Sequence, residues 1–189
     1  MILPIVSYGN AVLKTVAKEI DKDYPNLSEL IDNMFETMYT ASGVGLAAPQ
    51  VGISIRLFIV DASDFKKEYP DSEDFKKVFI NPKIIEESGE AWLFNEGCLS
   101  FPTLREDVKR KPNIKIEYYD ESFAFHSEEF SGMNARIIQH EYDHVNGIVF
   151  VDRLSQLKKQ LIKRKLNNIA NGDVEIHYKM KFANKKKKQ

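Results

Sequence analysis

Two histidines four residues apart, with a glutamate directly after the first, narrow the architectures open to this 189-residue chain more than anything else in it. The segment reads Gln139-His140-Glu141-Tyr142-Asp143-His144. On a helix of 3.6 residues per turn, positions four apart lie only about 40° apart around the axis, so both imidazoles leave one face. Two convergent nitrogens make half a metal site. Glu141 sits about 100° further round, able to lean toward a metal-associated water but badly placed for a third ligand. That position suits a proton carrier. The competing reading is a buried helical face whose histidines are satisfied by ordinary hydrogen bonds. Scarcity weighs against it, because the chain has only four histidines and two of them fall at ligand spacing. A catalytic centre of the zinc type takes three protein ligands and keeps one position open, so a third ligand is required.

Cys98, the sole cysteine, is the candidate. It follows Gly97, which relaxes the backbone, and a thiolate suits a borderline-soft ion. A lone cysteine is otherwise a small hydrophobe. A closed structural zinc would need a fourth protein ligand, which His126 and His177 are not spaced to supply, and such sites favour more cysteines. A single cysteine also excludes an internal disulfide and fits a reducing compartment.

The 43% hydrophobic composition is enough for a proper core in one domain. We expect that domain over residues 1–184, followed by a basic, disordered tail at 185–189. The opening residues lack a positive leader and break at Pro4, and no apolar run reaches membrane-spanning length, so a soluble cytoplasmic protein without a membrane partner is expected. A net charge of -1 argues against a nucleic-acid footprint over the whole surface, and no DNA partner is expected. Lysines between 158 and 165 and at the terminus leave a weak attraction to ribosomal RNA open. Periodicity predicts a short helix over 11–20 and a longer one carrying Leu27, Leu30, Ile31, Met34, Phe35 and Met38, stopping near Gly43. Strands are expected over 55–60, 78–85, 90–94 and 113–119, with Phe123, Phe125 and Phe130 hinting at a partner strand. Residues 61–77 read as a charged surface excursion without assigned function. Gly132 opens the histidine helix, a leucine-bearing helix spans 154–169, and 174–182 alternates as a strand does.

Three segments together carry a family resemblance. Gly43-Val44-Gly45-Leu46-Ala47-Ala48-Pro49-Gln50, Glu96-Gly97-Cys98-Leu99-Ser100 and the histidine segment resemble, in order and separation, the three signature motifs of the peptide deformylase family. The resemblance covers about residues 3–154. It implies an α+β fold with antiparallel sheets surrounding the metal-binding helix, and removal of the formyl group from the N-terminal formylmethionine of newly made polypeptides. It further implies a metal held by Cys98, His140 and His144, Fe2+ in the cell with Zn2+, Ni2+ or Co2+ able to replace it. Glu141 would act as general base and acid, and the Gln50 side-chain amide and the Leu99 backbone N–H would stabilise the oxyanion. Val44 and Gly45, facing Gly97, would pair with an extended substrate as an added strand.

Ile137 and Met133, three and seven residues before His140, are candidates for the wall of a methionine pocket, although both suit a core equally. Arg105 would meet the substrate backbone at the rim, or is a surface charge. Arg136 faces roughly the same way, a polar intrusion without explanation at this level. Asp143 is either an orienting carboxylate or an exposed acid. The implied partners are N-formylmethionyl nascent peptides, with transient ribosome association. Two other classes stand beside this one. A general peptidase on the same helix is disfavoured by a cysteine ligand next to an amide donor motif, and a metal-stabilised binding protein at the ribosome surface has no use for Glu141.

Overall fold

The computed structural model describes residues 1–184, and the basic tail expected at 185–189 lies outside them. In chain order the elements are β1 (Ile5–Val6), α1 (Leu27–Thr40), β2 (Gly45–Ala47), β3 (Leu57–Asp61), β4 (Lys76–Ser88), β5 (Trp92–Gly97), β6 (Arg105–Arg110), β7 (Asn113–Tyr119), β8 (Phe125–Ser131), α2 (Gly132–Val145), α3 (Gln156–Asn171) and β9 (Met180–Lys181), with short 3-10 helices between them. An antiparallel sheet runs β2-β3-β4-β7-β8, while β5 and β6 form a separate antiparallel ribbon. β1 and β9, from the two ends of the chain, pair in parallel. The architecture is α+β.

Side-chain alternation along β3 shows how the layers stack, since successive residues on a strand face opposite sides. Leu57 and Ile59 join Ile31, Met34 and Met38 of α1 in one buried cluster. Phe58 and Val60 instead join Met133, Ile137 and Ile138 of α2 in another. β3 is therefore covered on both faces, which is why its sequence is an apolar run with no polar alternation before Asp61. A third cluster, built from Leu13, Phe101, Val108, Phe150, Ile162 and Leu166 among others, joins α3 to the ribbon side of the molecule.

Against β7, β4 shifts register between Ile80 and Lys83 and again between Ile84 and Glu86. The cause of the first lies at Asn81 and Pro82. Proline has no N–H for the ladder, and Asn81 sits at φ +50°, held by bonds from its side chain to the N–H and C=O of Ile20 at 3.0 and 2.7 Å. Bulged strands bend and twist more strongly, so β4 can follow one sheet face and then turn.

Helix α2 is buried almost along its whole length. Arg136, Gln139, His140, Glu141, Asp143 and His144 are all among its buried residues. Sequestered polar groups cost free energy unless they are hydrogen-bonded, so a central helix this polar must be organised by specific partners.

The expected helix at 11–20 shrinks to a 3-10 turn, Ala11–Lys14, because the next N–H groups leave for tertiary partners: Ala17 donates to Val145 O and Lys18 to Ser54 O. Residues 174–182 form a strand only at Met180–Lys181. The charged β6 was absent from the periodicity reading, and β5 runs on to Gly97, three residues beyond the expected end.

Candidate metal centre and active site

Helix α2 presents His140 and His144 with ring centroids 5.2 Å apart. Cys98 begins the turn that leaves β5, closed by the Phe101 N–H on the Cys98 carbonyl at 2.8 Å. Folding brings these distant residues together: Cys98 Sγ lies 3.3 Å from His144 Nε2, and one donor atom from each of the three residues falls within 4.8 Å of the others. Ligand atoms around a tetrahedral zinc-type ion stand about 3.3–3.8 Å apart, so a modest contraction closes the set. The imidazole orientations also fit. His140 gives Nδ1 to Glu96 Oε2 at 2.9 Å, which leaves Nε2 as the donor for a metal. Three ligands and no fourth are gathered here among the described residues, which leaves room for water or substrate.

Glu141 is buried beside the cluster and its Oε2 has no hydrogen-bond partner. Burial pushes its carboxyl up to about 7, against the opposing charges of His140 and Arg110. Such a group can take and return a proton near neutral pH. Gly45 makes space for it, because a Cβ there would stand 2.5 Å from Glu141 Oε1.

Gln50 is fully buried, and its amide has one orientation: Oε1 accepts from the Ala47 N–H at 2.8 Å, so Nε2 points toward Cys98 Sγ and Ser100 Oγ, each at 3.4 Å. Leu99 lies directly after the cysteine, its side chain packed where Gly43 has no Cβ. A cavity of about 420 Å³ opens on these groups between the edge strands β2 and β5, with Val44, Gly45, Gly97 and Ile137 in its lining. Met133 lines it too while also packing in the core. Arg105 lies at the rim, bonded to Asn95 and stacked so closely over Gly97 that a Cβ there would meet Arg105 Nη1 at 2.7 Å. His126 pairs with Asp120 at 2.7 Å on β8 and His177 is exposed, both apart from the cluster.

Glu96, Arg110 and Phe65 enter the site without a role assigned from sequence, and Arg136 and Asp143 find their partners there. Glu96 accepts from Arg110 Nε and Nη2 at 2.7 and 3.0 Å, from Arg136 Nη1 at 2.6 Å, and from His140. Burial would raise its pKa, yet the hydrogen bonds of His140 and Arg110 and the Arg110 charge hold it well below the usual carboxylate range. Arg136, the unexplained intrusion, is thus a partner of Glu96; its guanidinium also stacks over Trp92 at 4.1 Å and bonds the Trp92 carbonyl. Asp143 is buried, not exposed, and bonds Arg110 at 2.8 Å and both Nε and Nη2 of Arg153. Phe65, inside the charged excursion, reaches the cavity wall.

Fold and site together define a class: an α+β chain with an open centre of one thiol and two imidazoles on a buried helix, a carboxyl poised beside it, and a cleft between two strand edges. The chain belongs to the polypeptide deformylase family, whose model matches residues 2–160. Peptide deformylase of Christiangramia forsetii is 59% identical, over 99% of each chain, and that of Salinibacter ruber is 44% identical over 94% of this chain and 93% of its own. Among solved structures, peptide deformylase from Thermotoga maritima is 40% identical with a TM-score of 0.74, covering 82% of this chain and 99% of its own. Arabidopsis thaliana peptide deformylase 1B in complex with an inhibitor is 36% identical with a TM-score of 0.79, covering 90% of this chain and 92% of its own.

Proposed function

We propose that this chain hydrolyses the formyl group from N-formylmethionyl peptides, releasing formate and a free α-amine, at the cleft that gathers Cys98, His140, His144 and Glu141. The observation that carries this reading is the open three-donor cluster with a buried carboxyl beside it, one of whose oxygens has no hydrogen-bond partner among the described residues. Cys98, His140 and His144 would hold one divalent ion, Fe2+ in the cell, with Zn2+, Ni2+ or Co2+ able to substitute, since thiolate and imidazole donors accept all four. When bound, the ion supplies Lewis acidity, drawing charge from the formyl oxygen and making water nucleophilic near neutral pH.

Glu141 takes the proton from the attacking water and delivers it to the departing nitrogen as the C–N bond breaks. Gln50 Nε2 and the Leu99 N–H donate to the developing oxyanion; Gln50 is already aimed by its bond from Ala47. An extended substrate lies between the β2 edge at Val44 and Gly45 and the β5 edge at Gly97, bonded through its backbone and so largely indifferent to sequence. Ile137 and Met133, with Phe65, give the methionine side chain an apolar wall. Arg105 meets the peptide at the rim. The working setting is the cytoplasm, on nascent chains, with transient contact to the ribosome.

The test is formate release by protein prepared without air, on a formyl-methionyl peptide, against cleavage of an internal bond in a blocked peptide. Glu141→Gln keeps its metal and loses turnover by about 10²- to 10⁴-fold, the range for a positioned general base. Internal cleavage by the wild type, or undiminished formate release by the variant, sinks the reading.

A further inference from the structure

Beyond the residues that the family model matches, the chain returns to the site. α3 stops at Gly172, which takes φ +81°, and the segment after it runs back across the molecule. There β9 pairs with β1, Ile5 opposite Met180. Ile5 N–H bonds Lys179 O at 2.9 Å, Ser7 N–H bonds Lys181 O at 3.0 Å, and Ala183 N–H bonds Ser7 Oγ at 3.1 Å. These contacts fix the strap in register with the N-terminal strand.

That register carries Tyr178 to the turn of Cys98, Leu99 and Ser100. Its hydroxyl donates to the Leu99 carbonyl at 2.8 Å. The next carbonyl is held from the other chain end, by the Tyr8 N–H on Ser100 O at 2.9 Å. Val174, earlier in the strap, packs on the same cluster as Cys98. Two consecutive carbonyls of the turn, those of Leu99 and Ser100, are therefore tied by the C-terminal strap and by the N-terminal segment. A backbone N–H can stabilise an oxyanion only if its direction is fixed before the reaction. The Leu99 N–H shares its peptide plane with the Cys98 carbonyl, which the Phe101 N–H holds at 2.8 Å. Pinning the Leu99 carbonyl fixes the next plane as well, so the two torsions of Leu99 between those planes, and with them the aim of its N–H, are restricted.

We propose that Tyr178 is a positioning residue for catalysis, holding the Leu99 carbonyl so that the Leu99 N–H stays aimed at the oxyanion. This rests on the deformylase reading, in which Leu99 is a donor. Loosening a donor costs less than removing one, which lowers kcat about 10²- to 10³-fold. Tyr178→Phe, which keeps the ring and deletes the hydroxyl, is therefore expected to lower kcat about ten-fold. KM should stay within about two-fold, because the lost interaction acts in the transition state.

A second readout needs no substrate: amide hydrogen exchange of a peptide spanning 98–101 quickens in Tyr178→Phe while peptides from α2 keep their protection. Ile114→Val, buried on β7 away from the strap and the turn, serves as the control for lost stability: it lowers the melting temperature and leaves kcat alone. An unchanged kcat or unchanged 98–101 exchange in Tyr178→Phe overturns the proposal, as does an equal loss of kcat in Ile114→Val. Wild-type protein that releases no formate refutes the deformylase reading instead, and the exchange comparison still reports on the turn.

Discussion

Gly45→Ala tests the placement of Glu141 directly, because the added methyl would meet that carboxyl. Gly45 is paired with Val60 in β2 and its φ is not in the left-handed region, so the backbone accepts alanine without strain. Space is the only obstacle. The new Cβ would meet Glu141 Oε1 at 2.5 Å, Cγ at 2.8 Å and Cδ at 2.9 Å. Ordinary van der Waals contact begins near 3.4 Å, so the carboxyl must retreat by roughly 0.5–0.9 Å, and α2 is too closely packed to move with it. A misplacement of about 1 Å costs about 10²-fold in rate, equivalent to about 2.7 kcal/mol of barrier. Formate release at saturating formyl-methionyl peptide should fall by that factor, with metal content and melting temperature near those of the wild type. Gly43→Ala is the matched comparison: its Cβ meets Leu99 Cδ1 at 2.7 Å, the tip of a side chain that can turn aside, so its effect should be much smaller. A Gly45→Ala protein that keeps its metal and works at the wild-type rate would show that Glu141 is not the proton carrier.

Two further predictions concern stability. Arg110→Met leaves the buried carboxylates of Glu96 and Asp143 without their shared cation; breaking a buried pair in this way costs about 3–5 kcal/mol, read as a lower urea midpoint, and an unchanged midpoint would contradict the assignment. Glu128 on β8 is held below the usual carboxylate range, since the Tyr118 hydroxyl and the Lys77 ammonium outweigh the opposing effect of burial. A depressed folded pKa stabilises the protein above the unfolded value of about 4.3 and ceases to do so as pH falls through the folded one. The stability advantage of wild type over Glu128→Gln should therefore be full at pH 6 and shrink steadily below pH 4; an advantage that grows on acidification would refute it.

Features written locally were legible, and those created by partners far along the chain were not. The histidine spacing, the α1 stripe and the alternation of Asn113–Tyr119 each follow from one element's own geometry. β6 was hidden because Arg105, Glu106, Asp107, Lys109 and Arg110 read as a solvated run, although Val108 and Arg110 face inward and are buried. Arginine at such a position reads as surface until its carboxylate partners are known. Phe65 was lost in the same way, an aromatic in a charged excursion whose 3-10 turns have no long period to detect. Glu96 did leave a signal. It stands two residues before Cys98, and strand alternation puts i and i+2 on one face, where a carboxylate can orient a ligating imidazole.

Their hydrogen-bond partners keep the two buried glutamates of the site, Glu96 and Glu141, to different tasks. Glu96 receives four hydrogen bonds, from two arginines and His140, so both of its oxygens are engaged and its charge is fixed. From it the chain of ion pairs runs through Arg110 to Asp143 and out to Arg153, which is 36% exposed. Apolar side chains could pack α2 without the cost of desolvating these charges, but none could dictate which imidazole nitrogen of His140 faces the cluster. Glu141, on the same helix as His140, has no arginine bond, an unpartnered oxygen and a raised pKa. When neighbouring carboxyls are pushed apart in this way, the environment assigns their roles: the saturated one holds the ligand and the unsaturated one moves the proton.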